Sequence, residues 1–321
     1  MSQTDYHFHQ HILRQQAEME KSFLDEFAAG SFPFDAPLVK QNPYAIAPLT
    51  ALVLFRLEQP EAVTVCVKGK TAAADMRFSY PAAREQFVSV YGLYADASTE
   101  VVLTLESGAQ KTLFFTAAAA PDCIRKPDYI KTAPEYFGNQ VMLLAPSSAS
   151  KMAAFDYAGD LRWYTELDMI LEPKRLKNGH FLAATERLIS LPYYITGVYE
   201  FSLIGKIYHE YRYPGGLHHD MTTDRDGNLL ILTEDLTRDT VEDMIAVLDK
   251  DTGEVIRTFD LRPVIPADAV AGNRANGRDW IHVNALWYDE STNSISVSGR
   301  NLDAVINLDY TTGGINWILG D

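Results

Sequence analysis

Only two cysteines, Cys66 and Cys123, occur in the 321 residues, too few for a disulfide framework and at no metal-ligand spacing. No stretch approaches the ~18 consecutive apolar residues of a membrane-crossing helix. The start lacks a basic segment followed by an apolar one, so no signal peptide is read there and a cytoplasmic location is expected. Basic residues are scarce: 28 Lys and Arg against 43 Asp and Glu give a net charge of −15. That balance argues against nucleic acid and anionic membrane surfaces as partners, since both need a basic face. An acidic chain that binds an anion has to gather its few cations at one place, which makes clustered His and Arg the residues to look for.

What is present is ordinary for a globular protein: 47% hydrophobic and 22% charged residues, in a chain long enough for two domains. From about residue 10 to 29, Ile12, Gln16, Met19, Phe23 and Phe27 recur at three- and four-residue spacing before Gly30, which predicts a short amphipathic N-terminal helix. A proline-punctuated linker follows at 32–43. Short alternating runs at 51–57, 62–68, 76–80, 87–94, 101–106 and 111–116, separated by turn-prone pieces, predict a small β-sandwich. No acid, base or ligand cluster falls within it.

Beyond Pro121 a longer period sets in. A glycine turn followed by an aromatic strand recurs as YAGDLRWY, LIGKIYHEY, DTGEVIRTF and YTTGGINWI, around Gly159, Gly205, Gly253 and Gly313 at spacings of 46, 48 and 60. Between them NGHFLAATE and DGNLLILTE align without a gap at a shift of 48, and TNSISVSGR continues the series. Several short strands per period of this length indicate a β-propeller. Three to four blades are expected before Asp321, fewer than usually close a ring, so an incomplete propeller is expected. The fold class is therefore all-β: an N-terminal helical arm and linker (1–40), a β-sandwich domain (41–120) and propeller blades (121–321).

Propeller chemistry sits where inner strands of successive blades converge. His219 falls where the preceding copy has Leu171, and His282 holds the corresponding place in the next repeat. Asn284, two residues on, would share a side with His282 in an extended strand. Arg300 ends the strand SISVSGR. Two imidazoles and a guanidinium suit a tetrahedral oxyanion: Arg pairs bidentately, and His both donates a hydrogen bond and exchanges a proton.

These residues also carry a resemblance. NPYAIAPLTALV, HHDMTTDRDGNLLIL, GRDWIHVNALWYDESTNSISVSGR and INWILGD resemble the PAPS-independent bacterial arylsulfate sulfotransferases over about residues 42–321. The resemblance implies a small N-terminal β domain, a six-bladed propeller and usually a homodimer. It further implies transfer of a sulfuryl group from a phenolic sulfate ester to another phenol through a transient sulfohistidine, with no nucleotide cofactor and no metal. His219, His282 and Arg300 take the family's catalytic positions and Asn284 a substrate-binding one. No position matches the nucleophilic histidine, and none of the eight histidines lies beyond His282. The chain is thus expected to be a truncated, N-terminal portion, inactive as a fragment. Exported family members set a counterweight to the cytoplasmic expectation.

Other features have plainer readings. His218 is expected at the rim, His180 and His209 at the surface or in packing, and Trp163, Trp280, Trp287 and Trp317 in the core. His7, His9 and His11 near the start are read as a fortuitous rather than built metal site. Asp224, Asp226 and Gly227 imitate part of a calcium loop but read better as a hairpin turn. Two competing functions are a non-catalytic propeller that binds an anionic or phenolic ligand or a protein, and a metal-dependent hydrolase using His219, Asp220 and His282.

Overall fold

The computed structural model describes residues 7–138, 140–145, 151–185, 188–190, 194–265 and 277–320, with the side chains of 7–11, 170–172 and 186–196 outside the description. The chain divides into two compact units, Met1–Met169 with Phe201–Tyr208, and Ile170–Glu200 with His209–Asp321.

In the first unit the N-terminal helix spans His7–Ala29. Phe23 and Phe27, one turn apart, bury themselves against Leu38, Tyr44, Leu52, Leu54 and Ile204. Gln16 lies one face-repeat earlier and is equally buried. Its amide nitrogen donates to the carbonyls of Tyr44 and Gly205 at 3.1 and 2.8 Å, and its oxygen accepts the Ile207 N–H at 2.8 Å. A buried polar group is thereby fully used, and the helix is pinned to the 205–207 turn.

The β domain is built from fewer, longer strands than predicted. Thr50–Val67 and Met76–Tyr91 each join two of the expected runs into one strand. They pair with each other along their length, with register shifts between Arg56 and Val63 where the hairpin bends. The turn-like residues Glu58, Gln59 and Pro60 are exposed bulge positions within a strand rather than a break between strands. The two ends of Thr50–Val67 then face different neighbours: Leu38–Gln41 at one end and Ala97–Leu105 at the other. Gln110–Ala117 completes the sheet beside Ala97–Leu105. Leu38–Gln41 also corrects the reading of 32–43 as linker, since those residues form an edge strand.

Within the same unit a three-stranded sheet follows, Met142–Leu144, Ala153–Phe155 and Leu161–Tyr164. Arg162 from its last strand has no solvent exposure. Its Nε donates to the Gly92 carbonyl at 2.8 Å, and Nη1 reaches the Ala74 carbonyl, the Tyr94 hydroxyl and Asp156 Oδ2 at 2.9, 3.0 and 3.0 Å. The guanidinium also lies 4.2 Å from the Tyr94 ring centroid.

The second unit holds antiparallel sheets of the kind that make propeller blades. One contains Met169–Arg175, Phe181–Thr185, Leu188–Ser190, Tyr194–Phe201 and Ile207–Leu217. The next is a meander of Met221–Thr223, Leu229–Thr233, Met244–Leu248 and Val255–Asp260. The last is a meander of Val283–Asp289, Ser294–Gly299, Ala304–Asp309 and Ile315–Gly320. The repeat signals fall where the period puts them: Phe181–Thr185, Leu229–Thr233 and Ser294–Gly299 are the second strands of their sheets. The glycines at 159, 205, 253 and 313 turn the chain into each closing strand with φ of 73°, 92°, 71° and 78°, a conformation that a side chain disfavours. The apolar faces of the last two meanders share one core that includes Leu230, Ile245, Phe259, Ile281, Val283 and Ile306.

Trp163 and Trp280 are buried as expected. Trp287 and Trp317 are not: they are 66% and 46% exposed. Trp287 stands between the buried Leu286 and Tyr288, on the outward side of its alternating strand, and Trp317 belongs to the exposed closing strand. The cysteines form no disulfide. Asp224 Oδ1 accepts the N–H groups of Asp226 and Asn228, both at 2.9 Å, as in a side-chain-braced hairpin turn.

Candidate functional site

The sequence-predicted residues lie at strand ends on one edge of the second unit. His219 precedes Met221–Thr223, His282 precedes Val283–Asp289, and Arg300 follows Ser294–Gly299. Backbone bonds hold these ends: His218 N–H to Leu232 O, Val283 N–H to Glu242 O, and Arg300 N–H to His282 O, each at 3.1 Å. Gly215 permits the tight packing beside them, because a Cβ there would stand 1.7 Å from the Glu234 carbonyl oxygen.

The rings of His219 and His282 meet edge to face, with centroids 4.9 Å apart. Arg300 reaches the same cluster through Asp279: its Nη2 is 3.8 Å from Asp279 Oδ2, and that oxygen is 2.9 Å from His282 Nδ1. His219, His282 and Arg300 thus occur together. Asn284 is half-buried at a register shift between Val283 and Ala285. His282 itself is left-handed, so the extended alternation that would align Asn284 with it does not apply here.

Three residues escaped sequence reasoning. His218 is buried rather than at the rim. Its Nε2 donates to the Thr233 carbonyl at 3.2 Å, and its Nδ1 lies 3.1 Å from His219 Nδ1. Asp279 embraces His282 Nδ1 with both oxygens, at 2.9 and 3.1 Å, and its own carbonyl is pinned by Asn301 Nδ2 at 2.6 Å. Its place three residues before His282 was the available signal. Glu242 is buried, and its N–H is held by Glu234 Oε2 at 2.8 Å. Its Oε2 comes within 2.5 Å of His282 Nδ1, yet the approach is misaligned and no hydrogen bond forms to it.

Asp220 has a different occupation. Its carboxylate accepts the N–H groups of Met221 and Leu286 at 2.8 and 2.9 Å and lies 3.1 Å from Lys174 Nζ. These partners tie the first strands of the two meanders together.

Backbone conformation marks the same place. His219, Glu242 and His282 have φ of 53°, 58° and 52°, three of the eight non-glycine residues with positive φ among those described. Such positions cost on the order of 1 kcal/mol each and gather at functional sites.

The electrostatics are not simply cationic. Burial, then the neighbouring His219, pulls His218 down to about 3. Partial burial, then His282 and Arg300, lowers His219 to about 4, although part of this residue remains open to solvent. Both imidazoles are therefore neutral at pH 7. Burial, then repulsion from Asp279 and Glu234, raises Glu242 to about 7. The formal positive charge of Arg300 faces at least the carboxylate of Asp279.

The comparisons with known proteins agree with this organisation. The arylsulfotransferase (ASST) pattern matches residues 126–321, and the arylsulfotransferase Ig-like domain pattern matches residues 38–118. The chain is 23% identical over 379 aligned positions to the arylsulfate sulfotransferase AssT of Escherichia coli strain CFT073, covering 87% of this chain and 62% of that protein. The chain spans less than two thirds of that relative's length. Among solved structures, similarity extends to a protein of unknown function from Bacteroides caccae, with a TM-score of 0.36, 13% identity and coverage of 82% and 94% of the two chains. A luciferin-regenerating enzyme gives 0.38, 10%, 88% and 80%. At such scores neither likeness enters the argument. With an Ig-like domain pattern followed by the arylsulfotransferase pattern over more than half its length, the chain belongs to the arylsulfotransferase family.

Proposed function

We propose that the cluster of His219, His282 and Arg300 receives the sulfuryl end of a phenolic sulfate ester, in transfer of that group to a second phenol. The supporting observation is the 4.9 Å approach of the two imidazoles beside Arg300, in a chain of this family. Arg300 and His282 face the sulfuryl oxygens, where charge grows in the transition state and fixed donors contribute on the order of a few kcal/mol each. Asp279, on His282 Nδ1, fixes which ring nitrogen carries the proton and leaves Nε2 for the substrate side. His219 is neutral at pH 7 and so accepts the proton of the incoming phenol rather than donating one.

In the exchange, the bond between sulfur and the donor phenol oxygen breaks and that oxygen leaves as phenolate. The sulfuryl group passes to a histidine nitrogen, and then to the acceptor oxygen as its proton departs. No position in residues 1–321 matches the family's nucleophile, so this stretch binds an aryl sulfate without turning it over. The test is calorimetric titration of residues 1–321 with 4-nitrophenyl sulfate, alongside an assay for nitrophenolate release with phenol as acceptor. Saturable binding weakened about tenfold or more by Arg300→Ala, without nitrophenolate release, is expected. Phenol-dependent turnover by this stretch would overturn the nucleophile assignment, and binding indifferent to Arg300→Ala and His282→Ala would overturn the site.

A further inference from the structure

Glu242 and Asp279 both stand against His282, and a third acid, Glu234, stands against Glu242. Three carboxylates would oppose the entry of an oxyanion, the more so because Arg300 already faces one of them. We propose that Glu242 is a positioning residue of the sulfuryl site that works as the neutral acid, and that its ionisation closes the site to aryl sulfates. The inference rests on the sulfuryl reading and adds to it a dependence on pH that the family resemblance does not supply.

Geometry is the first ground. His282 Nδ1 carries one N–H at most, and Asp279 receives it with both oxygens, at 2.9 and 3.1 Å. Glu242 Oε2 lies 2.5 Å from the same nitrogen, buried and with no hydrogen bond to it. One N–H serves one acid. An ionised oxygen held in that state carries a large desolvation cost, which a carboxyl with its own proton avoids.

The groups around Glu242 are the second ground, and they come from every neighbouring strand end. Glu234 Oε2 accepts its backbone N–H at 2.8 Å. Asp279 and His282 approach from before Val283–Asp289, Arg300 from after Ser294–Gly299, and His218 and His219 from before Met221–Thr223. Asp243, next in the chain, accepts the Trp280 indole N–H at 2.9 Å. Burial, then Asp279 and Glu234, outweighs Arg300 and holds the Glu242 carboxyl up at about 7. His218 and His219, lowered to about 3 and about 4, keep one charge state between pH 6 and pH 8.5.

Backbone conformation is the third ground. Glu242 is 4% exposed and reaches its place with φ of 58°, strain of the kind that gathers at functional sites. When its proton leaves to solvent, a second negative charge appears against His282, the ring that faces the sulfuryl oxygens. The anion then meets repulsion where it had met a donor, so affinity follows the neutral fraction of Glu242.

The experiment is calorimetric titration of the full chain with 4-nitrophenyl sulfate from pH 6 to pH 8.5 at constant ionic strength. Affinity at pH 8.5 is expected to fall at least about fivefold below that at pH 6, toward a limit of about thirtyfold at which only the neutral form binds. Glu242→Gln removes the titrating proton, so its ratio of affinities at the two pH values should stay within about twofold. Glu234→Gln keeps an acceptor for the Glu242 N–H and removes a charge, so it should move the midpoint of the affinity loss about half a pH unit or more downward. That second variant decides the matter if Glu242→Gln fails to fold. A flat wild-type profile, a loss that Glu242→Gln retains in full, or a midpoint that Glu234→Gln leaves in place overturns the proposal and leaves the sulfuryl reading standing. Absence of binding at every pH overturns both, so the two failures are told apart.

Discussion

Arg162→Met should be among the most damaging substitutions in the first unit. Methionine keeps most of the volume and removes the charge together with all the donors. It leaves Asp156 Oδ2 without its cation, while Oδ1 keeps the N–H groups of Ala158 and Asp160 at 3.0 and 3.1 Å. The carbonyls of Gly92 and Ala74 lose their buried donor as well. Side-chain exposure is 0% for Arg162 and 4% for Asp156, so water does not replace what is lost. Breaking one partner of a buried pair costs about 3–5 kcal/mol, a large part of a domain's total of about 5–15 kcal/mol. Urea unfolding followed by tryptophan fluorescence reads the loss, with the buried Trp163 next in sequence as reporter. The double variant Arg162→Met with Asp156→Asn removes the orphaned charge and should recover at least half of the loss. If Arg162→Met costs less than about 1 kcal/mol, or the double variant recovers nothing, the reasoning from a buried charge fails.

Two further outcomes follow from the site. The raised carboxyl of Glu242 keeps its proton in the folded state after the unfolded chain has released it, so stability falls as pH rises from about 4.5 to about 7. Glu242→Gln should abolish that component, on the order of 3 kcal/mol at 1.36 kcal/mol per unit; equal urea midpoints for wild type and variant at pH 5 and at pH 8 would refute it. Gly215→Ala forces a Cβ into the Glu234 carbonyl, and a loss of more than about 2 kcal/mol is expected in thermal melts. A melt unchanged by that substitution would mean the strand yields easily there.

The blade pattern was readable because it depends on local rules. Left-handed glycines and alternating strands repeat at a fixed period, and the ungapped 48-residue shift placed Phe181–Thr185 on Leu229–Thr233. The long strands of the β domain were not, since a bulge and a turn share the same residues, as at Glu58, Gln59 and Pro60. Of the site, the sequence yielded His219, His282 and Arg300 from repeats and resemblance. It missed Glu242, which arrives from a different loop through the Thr233 and Met244 pairing, and periodicity says nothing about which loops meet. His218 was misread because alternation assumes an extended chain. His219 is left-handed, and the chain turns there.

The left-handed trio has a consequence for anyone altering this protein. Glycine adopts that backbone region without penalty, and asparagine nearly so. A selection for heat resistance alone would therefore tend to trade His219, Glu242 and His282 for those residues, and each exchange would look like an improvement. Durability and chemistry pull in opposite directions at three adjacent corners of the chain, so a hardier variant changed at those corners would be a suspect one.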